Sequence, residues 1–441
     1  MTDAATTGSP AVRLPPTPGI PKAVQGLAFS VSRRRMIREL TARYGDVFAL
    51  NVPVYGRTVV VGDPQLAKQI FTTSPEVLGN IQPNLSRLLG SGSVFALDGD
   101  DHRRRRRLLA PPFHGRSIKN YEHIVTEETL REIDRWPVDE QFATLPSMTR
   151  ITLNAILRAV FGADGAELDD LRRIIPPWVT LGSRLAQLPK PSRTFGRYSP
   201  WGRLVEWRRL YDAVIDTLIA HQRSDPNFEH RSDVLALMLR STYDDGSVMS
   251  RKEIADELLT LLAAGHETTA ATLGWAFERL TRHPDVLAAL TEEADTDSNE
   301  LRQAAILEVQ RSRTVIDAAG RRVYAPVYEL GSWVIPRGFS IIVSIAQLHA
   351  DPCVFPHPDR FEPQRYLDAK PPTFSWIPFG GGTRRCVGAA FANMEMDVVL
   401  RTVLQHFVVE PTGAADEKWH ARGVAYTPKD GGLIVAHRRH R

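Results

Sequence analysis

The chain has 441 residues, of which 43% are apolar and 24% are charged, with a formal net charge of +4. This composition is that of an ordinary globular protein with a large buried core, and disorder is not expected beyond the ends. Two cysteines, Cys353 and Cys386, form no disulfide framework and match no zinc spacing, which favours a reducing, cytoplasmic setting.

Residues 1–22 are rich in proline and lack the features of a secretory signal, so they are expected to form a flexible arm. No repeat or Gly/Ser linker divides the remainder, which predicts a single catalytic domain over residues 23–441. The most apolar segment carries His266 and Glu267 near its middle, where lipid would penalise a charge. It is therefore interpreted as a buried core helix, and no transmembrane anchor is expected.

The predicted elements begin with a hairpin of residues 47–54 and 57–64, which turns near Tyr55-Gly56. Apolar periodicity then predicts helices, and β-branched runs such as 340–347 replace it after Asp317. A final hairpin is expected over 423–437, with its turn at Asp430-Gly431. The result is a mainly α fold with small β-sheets. The predicted helices cover residues 64–73, 126–136, 148–162, 203–224, 231–241, 251–283, 299–316 and 389–407.

The stretch FGGGTRRCVG, residues 379–388, surrounds Cys386 with glycine and precedes a predicted helix. Unpaired N–H groups and the helix dipole at that position would favour thiolate over thiol. Glycines 380, 381, 382 and 388 would let the backbone approach a flat object. The combination suits a metal cofactor that is bound through one sulfur.

Other interpretations of this stretch were weighed. An isolated cysteine is often only a buried structural residue, and a cysteine hydrolase stays open. Nucleotide binding fails in detail, because G-x-G-x-x-G would require glycine at Arg385 and no P-loop lysine follows.

Phe379, Gly382, Arg384, Cys386 and Gly388 resemble, residue for residue, the haem-binding loop F-x-x-G-x-R-x-C-x-G of the cytochrome P450 family. The resemblance implies the P450 fold, with haem b between a long central helix and the cysteine loop. It also implies that the Cys386 thiolate is the iron ligand. Gly380 is expected beside the haem with the other residues of the loop.

A second segment, AAGHETTA, resembles the oxygen-activation segment of the same family. The resemblance implies that Ala264 and Gly265 make room over the iron. Glu267 and Thr268 would be the acid and the alcohol that open the helix locally and relay protons. A polar kink in a core helix is the simpler alternative, and His266 is interpreted as structural.

Two further sets of residues are implied by the resemblance. Glu308 and Arg311, three apart on one helix, would form a buried ion pair that Arg365 of FEPQR completes. The proline that often follows this motif in the family is absent. The predicted partners of the haem propionates are His102, Arg106, Arg322 and Arg384.

The resemblance implies a soluble, monomeric haem monooxygenase of bacterial type that inserts one oxygen atom from O₂ into a lipophilic substrate. Electrons would come from an external ferredoxin and its reductase, with Arg104, Arg107 and Arg385 as docking candidates. A nucleic-acid role for the arginine run 103–107 is not favoured. The substrate pocket is expected near residues 79–97 and 176–188. The alternatives are a haem-thiolate peroxygenase or isomerase, and a non-catalytic haem sensor or carrier.

Overall fold

The structure, a computed structural model, describes residues 11–82, 84–162, 165–186, 188, 191–194 and 196–439. Helices dominate and small sheets flank them, which confirms the predicted fold class. The α-helices are α1 (Lys22–Tyr44), α2 (Pro64–Thr72), α3 (Ser86–Leu89), α4 (Gly99–Leu109), α5 (Lys119–Ile133), α6 (Thr144–Phe161), α7 (Ala166–Leu185), α8 (Pro200–Ser224), α9 (Val234–Arg240), α10 (Arg251–Thr281), α11 (Pro284–Ala294), α12 (Glu300–Ser312), α13 (Ile345–Leu348) and α14 (Ala389–His406).

The strands form one larger sheet and several small ones. The five-stranded sheet has the order β1-β2-β8-β5-β3, and the other sheets have the orders β4-β12-β9, β10-β11 and β6-β7. The strands are β1 (Val47–Val52), β2 (Gly56–Val61), β3 (Leu78–Asn80), β4 (Gln141–Ala143), β5 (Ala318–Val323), β6 (Val327–Leu330), β7 (Trp333–Pro336), β8 (Ser340–Ser344), β9 (Phe407–Val409), β10 (Trp419–Arg422), β11 (Ala425–Pro428) and β12 (Leu433–Arg438).

Helix α10 is the axis of the core. Ser250 caps it through a capping box with Glu253, which satisfies N–H groups at the start of this 31-residue helix. Most of its side chains are buried, and it packs against α6, α12, α14 and β11. This long apolar helix is thus buried in the core of the protein, as the sequence predicted. None of the helices in the described ranges is both long and apolar enough to cross a bilayer.

Most predicted helices occur close to their predicted positions, and the early hairpin is confirmed by the antiparallel pair β1 and β2. Helices α1, α7 and α11 were not predicted. Helix α7 holds Pro176 and Pro177 in its interior, where proline normally argues against helix. The predicted final hairpin is wrong: β11 pairs with β10 across Gly423, whereas β12 pairs with β4 and β9.

Part of the expected N-terminal arm is attached to the body of the protein. Arg13 exchanges two backbone hydrogen bonds with Val334, at 3.1 and 2.8 Å, and Ala49 donates to the Pro16 carbonyl at 2.9 Å. Residues 11–21 are therefore docked on the sheets, and residues 1–10 of that arm lie outside the described residues.

The predicted ion-pair triad is present, with Glu308 and Arg311 buried and Arg365 partly buried. Arg311 donates two hydrogen bonds to Glu308, at 2.8 and 2.7 Å, and Arg365 lies 3.3 Å from the same carboxylate. Arg311 also donates to the carbonyls of His349 and Arg360. The triad therefore ties α12 to the irregular chain that leads to the cysteine loop.

Replacing Glu308 should destabilise the protein strongly. Glu308→Ala leaves the buried guanidinium group of Arg311 without its carboxylate, and we expect the free energy of unfolding to fall by about 3–5 kcal/mol. Glu39→Ala, which breaks an exposed pair with Arg35, is the matched control and should cost at most about 1 kcal/mol. Urea titration of both variants measures the difference, and equal losses would contradict a structural role for the triad.

Candidate active site

The cysteine loop approaches α2 closely. Gly382 has a φ of 67°, and a Cβ atom there would lie 2.3 Å from the Phe71 carbonyl oxygen. A Cβ atom at Gly381 would meet the Phe71 ring at 2.6 Å. These two glycines therefore permit packing on α2, whereas Gly380 and Gly388 face open space and could admit a flat ligand. The expectation that every glycine faces a ligand was wrong for this pair.

Cys386 precedes α14, as predicted, and its backbone N–H donates to the Phe379 carbonyl at 2.9 Å. The side chain is exposed although protein atoms surround it, so the sulfur faces an internal space. Burial raises the pKa of the Cys386 thiol, and the Gly388 N–H, Arg106 and Arg385 oppose that shift only in part. The Gly388 N–H at the helix start thus favours the thiolate, burial has the larger opposite effect, and a bound cation would favour the anion further.

One face of α10 borders an open space in its middle. Ala264 is exposed and Thr268 is half-buried, although neighbouring residues on both sides are buried. A Cβ atom at Gly265 would instead lie 3.2 Å from Ile156, so this glycine lets α6 approach. The structure thus brings Ala264 and Thr268 to the open face and places Gly265 at a helix contact.

The helix is not opened at the acid–alcohol pair. The Thr268 hydroxyl donates to the Ala264 carbonyl at 2.8 Å, and α10 is continuous through this turn. Thr152 of α6 donates to the His266 carbonyl at 2.9 Å. Carbonyl groups in this turn thus accept side-chain hydroxyls in addition to helix N–H groups, which prepares the helix for local rearrangement without requiring it.

Glu267 is buried and faces the hairpin formed by β10 and β11. Its carboxylate lies 3.1 Å from Arg422 of β10, and burial raises its pKa while Arg422 and then Arg184 oppose the rise. Arg422 also lines a surface groove of about 1040 Å³ beside α5, α6 and α7. The ion pair therefore separates a buried carboxyl group from a solvent-filled groove.

Four cationic or basic side chains converge near the loop. Arg384 pairs with Asp98 at 3.0 Å, and Arg321 donates to the Gly381 carbonyl at 2.9 Å. Burial, then Arg384 and Arg106, lower the pKa of His102 to about 4. Burial and then Arg384 lower the pKa of Arg321 to about 10. Asp98 is the carboxylate that pairs with this cluster in the part of the chain that the structure describes. Anionic groups of a ligand would therefore balance its remaining positive charge.

Arg322, predicted for this cluster, does not belong to it. Its guanidinium group lies 3.4 Å from both the Tyr55 carbonyl and the Ser340 hydroxyl. Neighbouring residues of a strand point to opposite faces, so Arg321 of β5 occupies the expected position and Arg322 points away. The sequence RR offered no signal for choosing between the two.

Glu395 of α14 was also missed. Its carboxyl oxygens are buried without a hydrogen-bond partner among the described residues. Burial raises its pKa well above the ordinary range. A carboxyl group that stays neutral therefore lies behind the turn that contains Thr268. The isolated acid in the apolar run 389–396 was the available signal.

Comparisons with known proteins agree with this geometry. A profile of the family described as "Cytochrome P450" matches residues 15–435. A protein of Mycobacterium tuberculosis (strain ATCC 25618 / H37Rv), described as "Putative cytochrome P450 138", is 74% identical over 430 residues, covering 98% of both chains.

Solved structures show the same fold. "Retinoic acid bound cyanobacterial CYP120A1" superposes with a TM-score of 0.86 at 22% identity, covering 98% of this chain and 100% of that chain. The haem domain of a cytochrome P450DA mutant superposes with a TM-score of 0.80 at 22% identity, covering 98% of each chain.

The buried His266 should make the protein sensitive to acid. Burial lowers its pKa to about 4, so below about pH 6.5 the unfolded chain binds a proton that the folded chain does not. Its share of the free energy of unfolding is therefore lost as the pH falls, by about 2 kcal/mol between pH 7.5 and pH 5. His266→Gln should remove that part of the loss, which urea titrations at the two pH values measure.

The matched control for this experiment is His230→Gln, which replaces an exposed imidazole. It should leave the difference between pH 7.5 and pH 5 unchanged. An equal effect of the two variants would show that burial of His266 is not the cause.

Proposed function

The chain belongs to the cytochrome P450 family of haem-thiolate monooxygenases, and we propose that it oxygenates a lipophilic small molecule with electrons from a separate ferredoxin and reductase. The match to the family profile and the 74% identical mycobacterial protein confirm the resemblance seen in the sequence. The observation that carries the proposal is the placement of one accessible sulfur, Cys386, in an internal space beside a cluster of cations.

The residues fit a haem with the family's orientation. Cys386 would hold the iron through its thiolate, an anion that burial disfavours and a metal cation would stabilise. His102, Arg106, Arg321 and Arg384 would bind the propionate carboxylates. Gly380 and Gly388 leave room for the porphyrin edge, and Ala264 leaves room on the opposite side. When bound, the haem supplies the activation of O₂.

The protein would contribute protons through α10. The Thr268 hydroxyl would hold a proton or a water molecule on the open face by exchanging its bond to the Ala264 carbonyl. Glu267 would receive protons from the groove when Arg422 moves aside, because its raised pKa lets it take a proton more readily than an exposed carboxylate. This route keeps bulk water away from the reacting centre.

The surface outside the cysteine loop would receive the electron donor. Arg104 and Arg107 pair with Asp245 and Asp244, so both are already partly neutralised. Arg385 is exposed within the loop itself, next to Cys386 in the sequence. We therefore rank Arg385 first among the three docking candidates of the sequence.

Apolar side chains favour a lipophilic substrate. The core cluster that contains Leu262 and Ala263 of α10 extends to residues of the two segments that the sequence assigned to the substrate. Those residues are Leu85, Leu88, Leu89, Val94, Phe95, Trp178, Val179, Leu181 and Leu185. The cyanobacterial relative is described as binding retinoic acid, which is also largely apolar. The apolar character of these two segments supports a lipophilic substrate.

Cys386→His should change the spectrum of the bound pigment. We expect the ferrous carbonyl complex to lose its red-shifted band, because an imidazole donates less electron density to iron than a thiolate. The exposed Cys353→Ser should keep the band and serves as the control. Persistence of the band in Cys386→His would mean that another residue holds the iron.

Thr268→Ala should divert reducing equivalents without loss of haem. With donor, reductase and substrate present, we expect peroxide released per reducing equivalent to rise about fivefold or more, since the proton position on α10 is lost. Thr272→Ala, one turn further along the helix, is the matched control. Unchanged coupling would remove Thr268 from the mechanism, and full turnover with peroxide alone would favour a peroxygenase.

A further inference from the structure

One carbonyl group in the middle of α10 receives a hydrogen bond from another helix. The Thr152 hydroxyl of α6 donates to the His266 carbonyl at 2.9 Å. In the continuous helix, the same carbonyl also accepts the N–H group of Ala270, four residues later. The His266 carbonyl therefore has two donors, and one of them lies outside α10.

Close packing of the two helices lets this hydroxyl reach α10. A Cβ atom at Gly265 would lie 3.2 Å from Ile156, which follows Thr152 by one turn of α6. A residue larger than glycine would therefore press α6 away from α10 at this level. Thr152 is 0% exposed and His266 is 2% exposed, so bulk water does not reach this carbonyl as an alternative donor.

The Thr152 hydroxyl has a second acceptor at the same distance. It lies 2.9 Å from the Met148 carbonyl of its own helix. A hydroxyl carries one proton, so it donates to one of the two carbonyls at a time. Rotation of the O–H group can therefore transfer the hydrogen bond between α6 and α10 without leaving the hydroxyl unpaired.

The bond from Ala270 to His266 closes the turn that contains Glu267 and Thr268. When this bond breaks, the buried His266 carbonyl needs another donor, because an unpaired buried carbonyl is as costly as a lost hydrogen bond. The Thr152 hydroxyl is already in position to supply one. Thr152 thus lowers the free energy needed to open this turn of α10.

Other carbonyls of the same turn accept side chains of α10 itself. The Thr268 hydroxyl donates to the Ala264 carbonyl at 2.8 Å, and Nδ1 of His266 lies 2.6 Å from the Leu262 carbonyl. Those side chains move with α10 when it rearranges, whereas Thr152 is held on α6. A donor on a second helix can keep one peptide group in place while its neighbours turn.

We propose that Thr152 is a positioning residue for proton transfer through α10, because it stabilises the His266 carbonyl when the turn of Glu267 and Thr268 opens. The proposal rests on the proposed function, in which those two side chains exchange protons. It assigns to α6 a part in that step, although Thr152 acts through the backbone of α10 and contacts neither substrate nor cofactor.

Hydrogen exchange of the full-length, haem-loaded protein, followed by mass spectrometry of peptides from α10, measures this opening. Thr152→Val keeps the shape of the side chain and removes the donor. We expect the amides of residues 266–270 to exchange about tenfold more slowly in this variant, because the opened turn loses its hydrogen bond. Thr152→Ser keeps the hydroxyl and should exchange like the unchanged protein.

The matched control is Thr129→Val. Thr129 of α5 is also fully buried, and its hydroxyl donates to the Val125 carbonyl of its own helix at 2.7 Å. This variant should leave exchange of residues 266–270 unchanged. Thr152→Ala also removes the donor and should slow exchange, so the test does not depend on the folding of the valine variant. Unchanged or faster exchange without the Thr152 hydroxyl overturns the proposal, as does an equal slowing in the control.

A coupling assay separates this proposal from the proposed function. With the donor, reductase and substrate used for Thr268→Ala, we expect Thr152→Val to raise peroxide release about threefold or more, and Thr152→Ser to leave it unchanged. A response to Thr268→Ala without a response to Thr152→Val would overturn the role of Thr152. No response to either variant would contradict the proton relay itself, whereas the exchange experiment alone tests the contact between Thr152 and α10.

Discussion

The structure depends on a single sulfur whose ionised form the protein alone does not favour. Burial raises the pKa of Cys386, and one backbone N–H and two arginines compensate only in part. A metal cation would favour the thiolate, so that binding of the cation would be coupled to the protonation state of the sulfur. The loop that presents this sulfur is positioned by α2 through Gly382 and by the meander through the buried Glu308 triad.

Burial shifts the pKa values of ionisable groups on both sides of the site. On the loop side, burial and then the nearby Arg384 lower the pKa values of His102 and Arg321. On the side of α10, Glu267 and Glu395 are disposed to stay protonated because they are buried with few partners. The loop side is therefore suited to binding anionic carboxylates, and the side of α10 is suited to proton transfer. The two sides of the site differ because the fold buries basic groups on one side and carboxyl groups on the other.

Local patterns predicted much of this arrangement and failed where tertiary pairing decides. The cysteine motif, the triad and α10 were found because their residues carry strong spacing or periodicity. The choice between Arg321 and Arg322 depends on the facing of β5, and a register error of one residue reverses a strand's faces. The final hairpin was mispredicted because β11 pairs with a strand that precedes it, although Asp430-Gly431 has turn chemistry. Helix α1 was missed because its exposed apolar stripe does not resemble a helix that faces a core.

That last failure carries physical information. A helix of a globular protein is normally recognised by an apolar face turned inward and a polar face turned outward. In α1, Phe29 and the small Gly26 turn inward, whereas Leu27 and Val31 turn outward. Exposed aliphatic residues are common on folded proteins, so the outward residues do not set the position of α1. The close contact of Gly26 with Pro53 and the burial of Phe29 set it instead, and neither produces the broad apolar stripe by which a helix is recognised in a sequence.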